Sequence, residues 1–477
     1  MIGYLVIAIY LLGTLGLGIF SYKQQTNTAE DYFLANRKLG SVVLFFTLIA
    51  TNFSSFFFLG FAGEGYRIGI SYYPMMAFGT GFAALSFYYI GYRVWLLGKQ
   101  ENLITPPELI EFRFQNKPLK LLFLAVMVIF TLPYLALQPI GAGYLLENLT
   151  SGQVPYFVGA TFLTLVIVIY VFIGGMLSVA LTDVLQGILM FVLMLLAMLV
   201  IASNLGGFIE ANQQAYNIEP QLFSRGGVND FFTQKKWFSF MALWSFTLPM
   251  FPQMFMRFYT SKTPKPLKIS TILYPLITAI LFICPVIIGM WGHIAFPDLS
   301  GKAADRILPM MLTEYTPNWL TSVIMVGALA AFMSTLDSQL LALSSIITRD
   351  IYLSYIRPEA SLKEQTLIGR ILIIILAIVG LIIAYKPPNT IFAIATQTFT
   401  GLTVLFPTVI AALYGKNISP ISCVLSIIIG ELMVIGFQLQ WLPASLTFGF
   451  LPVIPVVAVS SLIIIFGSIC SRKTLQH

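Results

Sequence analysis

The chain has 477 residues, of which 58% are hydrophobic and only 9% charged, with a mean hydropathy of +0.88. Soluble proteins carry about 25% charged residues, so this composition excludes a soluble globular protein and leaves no segment over for a fused soluble domain. The net charge of +7 is spread over short connecting segments and predicts no nucleic-acid partner.

Apolar runs, each long enough for a ~30 Å hydrocarbon core, recur at 3–22, 40–69, 71–97, 119–147, 154–174, 183–204, 237–258, 267–292, 319–346, 368–386, 389–414, 418–437 and 444–470. About thirteen spans of this length predict an all-α polytopic membrane protein. The first run lacks a basic leader and a cleavage site before Lys23 and is expected to be a retained span. An odd number of spans puts the termini on opposite sides. With the N-terminus outside, only Arg67, Arg225, Lys235, Lys236, Lys302, Arg306 and Lys386 of the 26 basic residues fall outside. That bias predicts an N-out, C-in orientation, in a cell inner (plasma) membrane. Segments 205–236 and 293–318 each have room for a short outer surface helix. Segment 103–117, opening on Pro106-Pro107, reads as an interfacial helix.

Two spans are interrupted. Span 2 carries Asn52, Ser54 and Ser55 and then Gly60, Gly63 and Gly65, while span 7 carries Pro249 and Pro252. Such breaks are tolerated at membrane depth only where neighbours or water satisfy the freed backbone groups. Broken spans in corresponding positions of two halves point to an inverted-repeat transporter with its site at the breaks. One transmembrane domain over 1–477 is therefore expected, with repeats at 40–204 and 237–414. The helix at 3–22 and those at 418–470 would be additions to it.

The polar chemistry concentrates in Ala331-Phe332-Met333-Ser334-Thr335-Leu336-Asp337-Ser338-Gln339 of span 9. An isolated hydroxyl in a membrane helix commonly bonds back to the preceding turn. Here the polar groups cover more than one helix face, which marks an ion or substrate route. The carbonyls of Ala331 and, at the span 2 break, of Ala50 and Phe53 would join the Ser334 and Thr335 hydroxyls. These five neutral oxygens suit a hard cation such as Na⁺. Asp183 reads either as a first-turn acid behind an N-capping Thr182 or as part of the inward ion path. Asp337 is the one titrating group beside the site, and coupling to H⁺ in place of Na⁺ would require it. The cysteines Cys284, Cys423 and Cys470 show no metal or disulfide spacing, and the two histidines, His293 and His477, lack partners for hydrolytic chemistry. An enzyme is not expected.

Several segments carry a family resemblance. They are Ala29-Glu30-Asp31-Tyr32-Phe33-Leu34-Ala35-Asn36-Arg37, Gly63-Glu64-Gly65-Tyr66-Arg67-Ile68-Gly69, Thr182-Asp183-Val184-Leu185-Gln186-Gly187, Arg257-Phe258-Tyr259, and Ser334-Thr335 followed by Thr348-Arg349-Asp350-Ile351-Tyr352. Together they resemble the sodium:solute symporter family, whose members include proline, pantothenate, sialic acid and sugar symporters. The resemblance implies a LeuT-type fold and Na⁺ as coupling ion. Its sodium site falls on Ala50, Phe53, Ala331, Ser334 and Thr335, and its aspartate on the inward sodium path falls on Asp183.

The resemblance implies a Pro-His pair ahead of the span 7 arginine in proline and pantothenate members; here Pro252-Gln253 stands there. Sugar members would have Asn in place of Pro252 and an acid early in span 3, which begins Ser71-Tyr72-Tyr73. A pocket formed by Ser54, Ser55, Phe56, Phe57, Gln253 and Gln397 is expected to take a small carboxylate such as an amino acid, monocarboxylate or pantothenate. No arginine or lysine is expected at membrane depth, so half-helix termini would hold the anionic group. The partners predicted are this solute, Na⁺ and the lipid bilayer, without an obligate protein partner. The alternatives are a sugar or sialic acid symporter, a passive channel, or a transporter-like sensor. A long C-terminal extension would be expected of a sensor, whereas the sequence ends at His477 shortly after span 13.

Overall fold

The computed structural model describes residues 2–23 and 28–474, and His477 lies outside the described residues. Among them the only regular structure is helical, apart from an isolated bridge between Leu39 and Ser261. After α1 (Ile2–Tyr22) and a short α2 (Ala29–Leu34), the predicted second span divides. Its first half, α3 (Ser41–Asn52), stops at an extended Phe53 (ψ 100°). A π-helical turn, Phe56–Gly60, then leads into α4 (Phe61–Arg67), and the two halves are bent by 57°. Next come α5 (Tyr72–Ala83) and α6 (Leu85–Gln100). The predicted interfacial helix is α7 (Pro106–Phe114), opened by a reciprocal Thr105–Glu108 capping box and anchored by buried Leu109 and Ile110.

The next two helices are α8 (Lys117–Leu149) and α9 (Tyr156–Asn204). At 1.5 Å per residue α9 would run ~74 Å, more than twice a hydrocarbon core. It is broken at Gly175 (φ 55°, ψ −152°), where a Cβ would come within 2.7 Å of the Tyr32 ring. Only glycine fits there. The restart lies well before Thr182, whose hydroxyl bonds back to Ser178 and Val179 carbonyls. Thr182 is therefore no N-cap, and Asp183 sits within a continuous helix.

After the surface helix α10 (Phe208–Ile218), span 7 also divides. Here α11 (Gln234–Thr247), one 3₁₀ turn at Leu248–Met250 and an extended Phe251 (ψ 131°) precede α12 (Pro252–Thr260). Pro252 at the first helical position lacks only an N–H that the helix start leaves unbonded anyway. The remaining helices are α13 (Pro264–Leu281), α14 (Ile283–Ala295), α15 (Ile307–Tyr315), α16 (Asn318–Ile347), α17 (Leu362–Tyr385), α18 (Ile391–Thr403), α19 (Phe406–Tyr414), α20 (Pro420–Gln438) and α21 (Val453–Thr474).

Among the described residues eight helices are long and apolar enough to cross a membrane, or nine if the bent α3/α4 pair counts as one span. Helix α16 is the central one, with 83% of its apolar window buried inside the protein. It packs against α9, α8, α17, α1 and α3. Helix α4 lies on α14 backbone to backbone: a Cβ on Gly65 would stand 2.2 Å from the Val286 carbonyl oxygen, and one on Gly289 2.0 Å from that of Ala62. The far ends of the two broken spans are tied together, since Leu39 N–H donates to Thr260 O (3.1 Å) and Lys262 N–H to Leu39 O (3.0 Å).

Candidate functional site

The C-terminal carbonyls of α3 lose their intrahelical partners at the break, and they point at α16. The Ser334 hydroxyl lies 2.8 Å from the Ala50 carbonyl oxygen and 3.1 Å from that of Ala331. The Thr335 hydroxyl lies 3.3 Å from Thr51 O and 3.4 Å from Phe53 O. Ala50, Phe53, Ala331, Ser334 and Thr335 are thus brought to one place, and all are fully buried. Two hydroxyl protons face four carbonyl oxygens there, so the site is rich in acceptors. Such an excess of neutral oxygen, at the negative end of a half-helix, fits a small hard cation. Among the described residues no cluster of His, Cys, Asp or Glu is placed to hold a metal ion, so neutral oxygens alone would serve here.

One turn further along α16 a buried polar network begins. Thr51 Oγ1 and Ser338 Oγ are 3.1 Å apart. Ser338 Oγ accepts from Arg257 Nη2 at 2.5 Å and donates to Asp337 Oδ1 at 3.0 Å. Asp337 Oδ2 accepts from the Tyr170 hydroxyl at 2.6 Å. Arg257 also donates to Thr47 Oγ1 (2.9 Å), Gln253 O (3.2 Å) and Asp183 Oδ2 (3.1 Å), while the Thr47 hydroxyl donates to Asp183. Arg257 and Asp183 are both 0% exposed. This corrects the expectation that no basic side chain stands at membrane depth. Arg257 is there, with its charge directed to Asp183.

Between the two breaks lies a cavity of about 20 Å³ lined by Asn52, Phe56, Phe57, Tyr134, Trp244, Leu248, Phe282 and Phe399, among others. That is room for one water molecule, which needs ~10–15 Å³, so the protein is closed around it. Its wall is aromatic: Trp244 and Phe399 meet edge to face at 4.4 Å, and Tyr134 and Phe399 at 5.6 Å. The polar groups on it are the Asn52 amide, which donates to Tyr274 Oη at 2.5 Å, the Tyr134 hydroxyl and Thr80.

Of the six residues expected in a substrate pocket, only Phe56 and Phe57 line this cavity. Ser54 and Ser55 cap the break instead. Ser54 Oγ accepts from Phe56 N–H (3.1 Å) and pairs with the Tyr134 hydroxyl (2.8 Å). Ser55 donates through N–H to Gln138 Oε1 (3.0 Å) and through Oγ to Leu137 O (2.8 Å). Gln253 is buried in the first turn of α12 beside Arg257. Gln397 is exposed, on the face of α18 roughly opposite Phe399, and does not join the cavity. Sequence reasoning missed Tyr134, Trp244, Phe399, Thr47 and the buried role of Arg257. In a chain this rich in apolar residues an aromatic identity does not reveal which face it occupies.

At the other end of α4, Arg67 bridges Glu64 (2.5 Å) and Asp305 (2.8 Å), and Asp305 Oδ2 accepts from Ile391 N–H, the start of α18, at 2.9 Å. Burial raises the Asp305 carboxyl above its ordinary pKa, an effect that the Arg67 charge opposes.

A sequence model of the sodium:solute symporter family matches residues 32–430. The chain is 27% identical to the sodium/pantothenate symporter of Escherichia coli, over 96% of this chain and 94% of that protein. It is also 27% identical to the sodium/proline symporter of Staphylococcus aureus, over 98% of this chain and 93% of that one. The fold matches a Na⁺-coupled sialic acid symporter in a substrate-bound outward-open state, with a TM-score of 0.82, 19% identity and 98% of both chains covered. It also matches a nucleobase-cation-symport-1 family transporter in a closed conformation, with a TM-score of 0.64 and 11% identity over 93% of this chain and 95% of that one. The chain belongs to the sodium:solute symporter family: it is a multi-pass membrane protein that couples the uptake of a small solute to Na⁺, a transporter and not an enzyme.

Proposed function

We propose that this protein imports a small carboxylate with Na⁺ across the plasma membrane by alternating access. The observation that carries the reading is the convergence of the Ala50, Phe53 and Ala331 carbonyls with the Ser334 and Thr335 hydroxyls across α3 and α16. Na⁺ held there would clamp the broken second span against α16, and its loss to a low-sodium interior would free the two to part. The 20 Å³ cavity beside it has to widen to admit any solute, as alternating access requires.

Thirteen crossings with the N-terminus outside complete this reading. They comprise the eight long helices, the α3/α4 pair, α1, the α5/α6 pair, the second crossing of α9 beyond Gly175, and the α11/α12 pair. The breaks fall five crossings apart, in line with two inverted repeats over 40–204 and 237–414. A carboxylate is favoured because proline, pantothenate and sialic acid, named for the proteins similar to this one, all carry that group. Arg257 is committed to Asp183 and does not line the cavity, so the anionic group would meet the start of α12, the Asn52 amide and the Tyr134 hydroxyl. A thermal-shift panel of amino acids, monocarboxylates, pantothenate, sialic acid and sugars, with and without Na⁺, tests this. Na⁺-dependent stabilisation by a carboxylate is expected, and stabilisation by neutral sugars alone would overturn it.

A further inference from the structure

Arg257 is a side chain on α12 whose four hydrogen bonds reach α3 (Thr47), α9 (Asp183), α16 (Ser338) and its own helix (Gln253 O). It therefore joins α3 and α12, one half of each broken span, to α16 and to the part of α9 beyond Gly175. Through Ser338 it stands two hydrogen bonds from Thr51, whose carbonyl accepts from the Thr335 hydroxyl of the candidate Na⁺ site. Two carboxylates, Asp183 and Asp337, share this buried network with a single guanidinium. The Asp183 Oδ1 atom makes no hydrogen bond, while Oδ2 holds Arg257 and Thr47.

We propose that Arg257 is the positioning residue that couples Na⁺ loss to opening of the transporter: a tethered cation that occupies Asp183 while Na⁺ sits at Ser334 and Thr335. The inference rests on that Na⁺ site. With Na⁺ bound, the guanidinium neutralises Asp183 and pins α3 and α12 to α9 and α16. Its positive end faces Ser338, hence the ion, and like charges repel, which keeps the Na⁺ affinity modest. An ion leaving along this face meets the free Oδ1 of Asp183. The aspartate is then shared between two cations, Arg257 loosens, and the two half-helices it pins are released together. Arg257 thus acts through Asp183 and Ser338 and touches neither solute nor Na⁺.

The test is radioactive sodium binding to the purified full-length protein in detergent, comparing Arg257→Gln, Asp183→Asn, Arg257→Lys and Ser334→Ala. Removing the guanidinium leaves two carboxylates to attract the ion, so in Arg257→Gln the half-saturating Na⁺ concentration should fall severalfold as like-charge repulsion is lifted, and bound Na⁺ should dissociate more slowly. Asp183→Asn leaves Asp337 as the one carboxylate offsetting the guanidinium and should shift half-saturation the other way by a similar factor. A purely structural pair would weaken binding in both variants, and that result, or no change in Arg257→Gln, overturns the proposal. Should Arg257→Gln fail to fold, Arg257→Lys decides: it keeps the charge, so half-saturation within about twofold of the unmodified protein is expected, and loss of binding overturns the proposal. Ser334→Ala separates the two levels. If it leaves Na⁺ binding intact, the site reading fails; if it weakens binding while Arg257→Gln does not tighten it, the coupling proposal alone fails.

Discussion

The Ser334 hydroxyl on α16 stands 2.8 Å from the Ala50 carbonyl oxygen on α3, between residues 284 positions apart in sequence. This contact joins a helix that stays whole to one that stops. Because α3 ends at Phe53, its last carbonyls are free of helical partners, and a hydroxyl or a cation can bridge the two. Binding at this point therefore bears directly on whether α3 and α16 remain together.

The cap on the break is the first point to probe. Ser54→Ala leaves the Phe56 N–H and the buried Tyr134 hydroxyl without their partner, and an unsatisfied buried polar group costs about 1–3 kcal/mol. Thermal unfolding in detergent should show a loss of this size, with Ser54→Thr, which keeps the hydroxyl, retaining most of the stability. Equal stability of Ser54→Ala and the unmodified protein would show that the break does not depend on this cap.

The close approach of α4 and α14 makes a second, steric prediction. Gly289→Ala places a methyl group 2.0 Å from the Ala62 carbonyl oxygen, where backbone on both sides prevents relief. Overpacking of this kind costs about 1–3 kcal/mol. The variant should insert in the membrane and yet lose most Na⁺-dependent solute uptake, measured in cells against its immunoblotted amount. Gly13→Ala, in α1 with open space around it, should be neutral.

Asp305 carries a pH dependence of definite sign. Its pKa is raised from 3.8 by burial, so the folded protein holds this proton more tightly than the unfolded chain does. The stabilisation from that proton is present below pH 3.8 and is lost as pH rises through the higher folded value. Compared with Asp305→Asn, the unmodified protein should therefore lose relative thermal stability as pH increases from about 4 to 7. A difference between the two that stays constant across this range, or that changes in the opposite sense, would contradict the burial argument.

The broken spans could be read from sequence because glycine, proline and paired hydroxyls are costly inside apolar runs unless a site needs them. The same logic singled out Ser334, Thr335 and the carbonyls of Ala50, Phe53 and Ala331, which the fold brings to one place. Arg257 was not legible in this way. At the end of a span an arginine reads as a topological charge, and only packing shows that its side chain turns inward to Asp183. Thr182 misled because helix α9 resumes directly after Gly175, and a capping residue acts only where a helix starts. Gln397 misled for a different reason. A helix that is apolar nearly all round has no polar stripe to fix its facing, and in α18 it is Phe399 that faces the cavity.

The most direct measurement is the Na⁺ concentration that half-saturates binding to purified Ser334→Ala and Thr335→Ala proteins, with far-UV circular dichroism confirming that both are folded. Each variant removes one of the five oxygens proposed to hold the ion. A lost ligand worth about 1.4 kcal/mol is a factor of ten, so half-saturation should rise roughly tenfold in each and further in the double variant. Half-saturation equal to that of the unmodified protein in both single variants would place the coupling Na⁺ elsewhere and contradict the account.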